Sequence, residues 1–239
     1  MKKIAMIPAR YEASRFPGKL MKMLGDKSVI ATVYLATKNT GLFDDVIVVT
    51  DSDVIFKEIE SFGGKALRSK EQHESGTDRI AEAAENIEVD IILNVQGDTP
   101  FISREPLEKL LKLFDDSQVQ VASLMQQIHD EKTISDPNRV KVVVDSKMNS
   151  LLFSRSVIPY PRNQQTPIAH YEHIGVYAFR KKALLDFTKW PVTPLEDAEK
   201  IECLRFLENG MPLRMAVTGY IGVSIDTPED LIKAKSLLQ

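Results

Sequence analysis

Three short apolar runs, at residues 4–7, 46–50 and 91–95, recur through the first half of the chain, with amphipathic stretches between them. Runs this short and this continuously apolar read as strands buried on both faces. Between them, residues 29–38 and 54–62 carry helical periodicity, and Gly63-Gly64 supplies a stop for the second. Residues 65–68 read as a short strand, and Thr77 as the N-cap of a helix over 78–86. This β-α-β alternation predicts an α/β fold of three layers, a mainly parallel central sheet with helices on both faces.

The second half reads as a smaller β-rich region. Strands are expected at 119–128, 140–145, 151–156 and 173–179. In the last of these, Ile174, Val176 and Ala178 alternate with His173, Gly175 and Tyr177. A helix is expected over 195–208, stopped at Asn209-Gly210, with Leu195, Ala198, Ile201 and Leu204 as its core stripe. Short strands are expected at 215–217 and 222–225, and Thr227-Pro228-Glu229-Asp230 opens a terminal helix. The proline-rich stretch 159–167 reads as a loop or an extended arm. With 239 residues and no evident linker, the chain is expected to form one domain over 1–239.

The formal net charge of −3 offers no global attraction to nucleic acid or to an anionic membrane. No apolar run reaches the roughly 20 residues that span a bilayer, so no membrane insertion is expected. Pro8 and Arg10 interrupt the first apolar run before it reaches signal-peptide length. Cys203 is the single cysteine, which suits a reducing cytoplasm.

The loop that leaves the first strand of an open α/β sheet is a ligand position. Here it reads Pro8-Ala9-Arg10-Tyr11, then Arg15-Phe16-Pro17-Gly18-Lys19, with three cations suited to a polyphosphate. It is no Walker A loop, and the same residues also fit a solvated surface loop. Asp98, after the strand at 91–95, and Asp226, before the last helix, sit where carboxylates can hold Mg²⁺. An ordinary turn and a helix-dipole acid are the plain readings of the two. Ser75, Gly76 and Thr77 precede a helix and offer groups to a base or phosphate, with Gln96 available for a base edge; simple capping explains them as well. Arg155 and Arg162 suit a carboxylate, while His173, Tyr177 and Glu202 are further polar candidates, each also compatible with a structural role. His170 and His173 lack the further ligands of a zinc site.

In order, the chain contains Pro-Ala-Arg-Tyr-x-x-Ser-Arg-Phe-Pro-Gly-Lys, Glu-Ser-Gly-Thr-Asp-Arg, Asn-Val-Gln-Gly-Asp, Ser-Arg-Ser-x-Ile-Pro, His-Ile-Gly-Val-Tyr-Ala, Leu-Arg-x-Leu-Glu-Asn-Gly and Asp-Thr-Pro-Glu-Asp-Leu. This set, running from Lys3 to Leu237, resembles the 3-deoxy-manno-octulosonate (Kdo) cytidylyltransferase family. The resemblance implies a nucleotide-diphospho-sugar transferase (Rossmann-like) fold. It implies transfer of CMP from CTP to the anomeric hydroxyl of Kdo, releasing pyrophosphate, for lipopolysaccharide biosynthesis. It further implies Mg²⁺ as cofactor, a homodimer and a cytoplasmic location. Carried onto matching positions, Arg10 and Lys19 bind the triphosphate, with Pro8, Ala9 and Arg15 in the same loop. Ser75, Gly76, Thr77 and Gln96 form the cytidine pocket, and Asp98 and Asp226 hold the metal. Arg10, Lys19, Asp98 and Asp226 are then the catalytic set, and Arg155, Arg162, His173, Tyr177 and Glu202 the sugar site.

Two positions depart from the family pattern. Thr99 replaces a glutamate after Gly-Asp, and Cys203 replaces a glutamine after Glu202. The second leaves open the same reaction on 8-amino-Kdo or on another acid such as sialate. A catalytically weak nucleotide-binding regulator is the alternative from another class, and the intact Arg10, Lys19, Asp98 and Asp226 argue against it.

Overall fold

The computed structural model describes residues 1–12, 16–71, 73, 75–163, 165, 167–219 and 223–238. The chain divides into two compact units, Met1–Leu107 with Ile221–Gln239, and Glu108–Tyr220.

The first unit begins with β1 (Lys3–Ala9), a small hairpin of β2 (Met23–Leu24) and β3 (Lys27–Ser28), and α1 (Val29–Asn39). It continues with β4 (Asp45–Thr50), α2 (Asp53–Ser61), β5 (Lys65–Arg68), α3 (Gly76–Ala84), β6 (Ile91–Asn94) and α4 (Arg104–Lys112), and the division between the units falls inside α4. The strands pair in parallel in the order β6-β1-β4-β5. Residues Ile4–Ile7, Val46–Val49 and Ile91–Leu93 are almost wholly buried, as their unbroken apolar sequence requires. Right-handed crossovers carry α1 and α2 over one face as the chain steps from β1 to β5. The return from β5 to β6 reverses direction and puts α3 on the other face. The chain therefore switches direction beside β1 and β6, and a ligand cleft is expected past their C-terminal ends.

Serines start the first helices: Ser28 accepts from the Ala31 N–H, and Ser52 from the Ile55 N–H. The third helix starts earlier than its sequence suggests. Ser75 is the N-cap, accepting the Asp78 N–H at 3.1 Å, and Thr77 is buried in the first turn. The serine and Asp78 stand three apart, the spacing of a capping motif, and this outcompetes Thr77.

The second unit contains β7 (Val121–Ile128), α5 (Glu131–Ser135), β8 (Lys141–Val144), β9 (Ser150–Ser154), β10 (His170–Arg180), α6 (Lys181–Phe187), α7 (Pro194–Glu199), α8 (Leu204–Glu208) and β11 (Arg214–Val217). Here β7 lies between β11, parallel, and β10, antiparallel, and β8 and β9 extend the antiparallel part. The register of β10 shifts between Ile174 and Tyr177, so the simple alternation expected across 173–179 is interrupted. Phe187 stacks on Phe206 with ring centroids 4.3 Å apart, and Trp190 meets Phe206 edge-on.

The continuous helix expected over 195–208 is corrected to α7 and α8, which are separated at Lys200, in the left-handed conformation at φ 52°. Leu195 and Ala198 are exposed, while Ile201 and Leu204 are buried, so the proposed stripe is not one face. The reason is Glu196, which binds Arg205 through two hydrogen bonds of 2.7 and 2.5 Å. On one straight helix, residues nine apart would lie on opposite faces about 13 Å apart along the axis. The break lets them meet.

The chain returns to the first unit with α9 (Pro228–Ser236). Thr227 and Asp230 form its capping box and Pro228 its first position, as the sequence indicated. The strand expected over 222–225 is absent at 223–225, and Gly222 lies outside the described residues.

Candidate active site

The cleft forms where β1 and β6 end. It encloses about 280 Å³ within the first unit. Pro8, Ala9 and Arg10 come from the end of β1, and Gln96, Gly97 and Asp98 from the end of β6. Ser75 and Gly76 bring the N-terminus of α3, whose positive dipole end favours an anion. Gly76 lies so close to β1 that an added Cβ would meet the Pro8 ring at 3.0 Å.

Lys19 reaches the cleft from a short 3₁₀ turn, Lys19–Met21. That turn follows Gly18, in the left-handed region at φ 66°, where glycine carries no steric penalty. Gly18 also donates its N–H to the Tyr11 carbonyl at 3.2 Å. The Lys19 ammonium donates to Asp98 Oδ2 at 2.6 Å and to Asp226 Oδ1 at 3.0 Å. Burial alone would lower the lysine's pKa, but the two carboxylates outweigh it and hold the pKa above its usual value. Asp226 reaches this point because the Ile225 N–H bonds the Asp98 carbonyl, and because α9 starts directly after it.

Arg10 is exposed at the rim. Thr77, placed in the cytidine pocket by resemblance, is buried and does not line the cleft. Arg15 lies outside the described residues. Thr99 spends its hydroxyl on the Gln96 carbonyl at 2.7 Å, closing the turn behind Asp98. A glutamate could not donate in that way when ionised.

Phe16, Leu20, His73 and Arg79 also line the cleft, and the motif reading gave them no role. Arg79 is buried, donating to Ser69 and to Asp51. His73 meets Glu82 at 2.5 Å, and Glu82 also accepts the Lys70 N–H, so one carboxylate ties Lys70 and His73 to α3. The sequence signal for Arg79 was available: a cation three residues into a helix opening is poorly placed for the dipole unless it has a partner.

In the second unit, His173, Tyr177 and Glu202 come together. The rings of His173 and Tyr177 lie 5.3 Å apart. Tyr177 hydrogen-bonds Cys203; burial, with the Glu202 carboxylate nearby, pushes its pKa well up. Burial likewise raises the Cys203 thiol, which stays protonated and unreactive. His173 Nε2 contacts Ser123 Oγ at 2.9 Å, and burial pulls the imidazole down to about 4. Ser123 Oγ also lies 2.9 and 3.1 Å from the Val176 and Ile174 carbonyls. Its single proton serves one acceptor at a time, so when a carbonyl takes it the imidazole donates to Ser123 from Nε2. Arg155 bonds elsewhere: its guanidinium holds the carbonyls of Glu199, Pro137 and Lys200, and its own N–H goes to the Glu199 carboxylate. Arg162 is exposed.

A family model described as Cytidylyltransferase matches residues 4–215. A protein of Flavobacterium johnsoniae named 3-deoxy-manno-octulosonate cytidylyltransferase is 54% identical, covering 100% of this chain and 99% of its own. One of the same name from Christiangramia forsetii is 54% identical over 98% of this chain and 96% of its own. The solved structure of CMP:2-keto-3-deoxy-manno-octonic acid synthetase complexed with CTP superposes with a TM-score of 0.95 at 37% identity, covering 100% and 98% of the two chains. The structure of 4-diphosphocytidyl-2C-methyl-D-erythritol synthase from Anaerococcus prevotii, at 19% identity and a TM-score of 0.66, shares the fold. By sequence along its whole length and by the arrangement of its sheet, the chain belongs to the 3-deoxy-manno-octulosonate cytidylyltransferase family.

Proposed function

We propose that this protein transfers CMP from CTP to the anomeric hydroxyl of Kdo, releasing pyrophosphate, and so supplies activated sugar for lipopolysaccharide. The observation that carries the reading is the convergence of Lys19, Asp98 and Asp226 at the switch point of the parallel sheet, in a chain of this family. The sugar hydroxyl attacks the α-phosphorus in line with the departing pyrophosphate. Lys19 and Arg10 take up negative charge on the phosphate chain, and the α3 N-terminus adds backbone donors. Little covalent chemistry is asked of the protein, so positioning and electrostatics carry the rate.

The residues present suit Mg²⁺. Both carboxylates already bond one ammonium, so they aim at a single cationic point. Hard oxygen donors completed by water and phosphate are what this ion prefers. Asp98 and Asp226 would hold it. When bound, it supplies charge neutralisation at the phosphates and lowers the pKa of a coordinated hydroxyl. Among the described residues no group of three or more His, Cys, Asp or Glu forms another metal site.

His173, Tyr177 and Glu202 read the sugar hydroxyls, and Arg162 is an exposed cation available for the sugar carboxylate. The protein acts as a homodimer in the cytoplasm. Support for self-association comes from the second unit, where among the described residues β9 pairs only with β8 and exposes Leu151, with Val157 and Tyr160 exposed beyond it. No helix among the described residues is long and apolar enough to cross a membrane.

The decisive assay follows pyrophosphate release with CTP, Mg²⁺ and, in parallel, Kdo, 8-amino-Kdo and sialate. Release with Kdo well above the other two is expected, and a preference for another acid would reassign the sugar. ATP and GTP should be poor donors, since a site shaped to one base's polar edge leaves groups unpaired against another.

A further inference from the structure

The position that suits a divalent cation is filled by the protein's own cation. Lys19 Nζ lies within hydrogen-bond distance of both Asp98 and Asp226, and its side chain is 14% exposed. A metal ion bonded to the same oxygens would sit about 2 Å from each. Two cations cannot share that point, since their repulsion at such range is large. A metal ion on those oxygens therefore requires the ammonium to leave. It hangs on a flexible four-carbon stem just past the left-handed Gly18, at the lip of the cleft. A displaced ammonium with no new anion would forfeit two charge-assisted hydrogen bonds. Phosphate oxygens in the cleft are the replacement that the site offers.

We infer that Lys19 is a place-holder: it occupies the cation point in the nucleotide-free protein and releases it only when a polyphosphate takes the ammonium. Metal and nucleotide then enter together, each raising the affinity for the other, as linkage requires. A cleft without nucleotide stays closed to free divalent ions, which keeps a bare metal from occupying the carboxylates unproductively. The inference rests on Asp98 and Asp226 being the metal-holding pair.

The test uses the full chain without nucleotide and Mn²⁺ as probe, with free Mn²⁺ followed by electron paramagnetic resonance. Four proteins are compared: wild type, Lys19→Met, Asp98→Asn, and the double variant. Lys19→Met should bind Mn²⁺ about tenfold or more tightly than wild type, the scale of losing charge-assisted hydrogen bonds. Mn²⁺ should also raise the melting temperature of Lys19→Met while leaving wild type nearly unmoved. Adding Asp98→Asn should remove the gain. If Lys19→Met binds no better than wild type while Asp98→Asn still weakens whatever binding exists, the place-holder role fails and the metal pair stands. If Asp98→Asn changes nothing in either background, the metal pair fails and the inference with it. Should Lys19→Met fold poorly by circular dichroism, Lys19→Gln serves the same comparison, because an amide carries no charge to defend the site.

Discussion

The N–H of Ile225 donates to the carbonyl of Asp98 at 2.9 Å. One residue after Ile225 comes Asp226, so this backbone bond sets two carboxylates from distant parts of the sequence beside each other. Lys19 then bridges them. The cation point is thus built from three separate segments: the loop after β1, the end of β6, and the start of α9.

Asp98→Asn and Asp226→Asn each remove one charge from this point while keeping shape. Each should lower CTP-dependent pyrophosphate release by about a hundredfold or more, the usual scale for losing a preorganised charge at the reacting phosphates. Circular dichroism should be unchanged, because the Ile225–Asp98 bond uses only backbone atoms. Near-normal turnover in both would remove the carboxylates from the catalytic set.

Gly97→Ala tests how closely the cleft wall is packed. A Cβ there would meet the Pro8 carbonyl oxygen at 3.1 Å and Ile30 Cδ1 at 3.3 Å. The first neighbour is backbone of a central strand and has little room to yield. A destabilisation of about 1–2 kcal/mol is expected from this overpacking, with a raised KM for CTP. Urea titration and steady-state kinetics check the two effects, and an unaltered midpoint would show that the wall gives way.

Glu196 and Arg205 form a buried two-bond ion pair, each side chain 10% exposed, and Arg205 also lies over the Phe187 ring at 4.3 Å. Removing one charge strands the other, so Arg205→Met should cost about 3–5 kcal/mol. Glu196→Leu with Arg205→Met should recover much of that loss, because no charge is left buried. Calorimetric melting of the three proteins separates a stranded charge from simple loss of packing.

His173 gives a pH signature. Its folded-state value near 4 lies below the ordinary 6.5, so the folded protein binds fewer protons than the unfolded chain between those values. Stability from this site is intact above pH 6.5 and falls as pH drops toward 4. Relative to His173→Phe, wild type should lose at most about 3 kcal/mol over that interval, and less to the extent that water reaches the ring. Paired urea titrations at pH 7 and pH 4.5 measure it; a constant difference between the proteins would contradict the neutral, Ser123-bonded imidazole.

What residue patterns determined by themselves were features set by neighbours along the chain. The continuous apolar runs made β1, β4 and β6 two-faced buried strands, and their alternation with helices made the sheet parallel. That placed the cationic loop at a switch point, and Thr227-Pro228 marked the start of α9 because capping is decided within one turn. Tertiary structure decided whatever needed partners far apart in sequence. It closed Asp98 and Asp226 on Lys19, broke 195–208 so that Glu196 could reach Arg205, and held Arg155 on backbone carbonyls. Periodicity and propensity report a residue's immediate surroundings. Which distant side chain meets which is set by strand register and by the need of each buried charge for a partner.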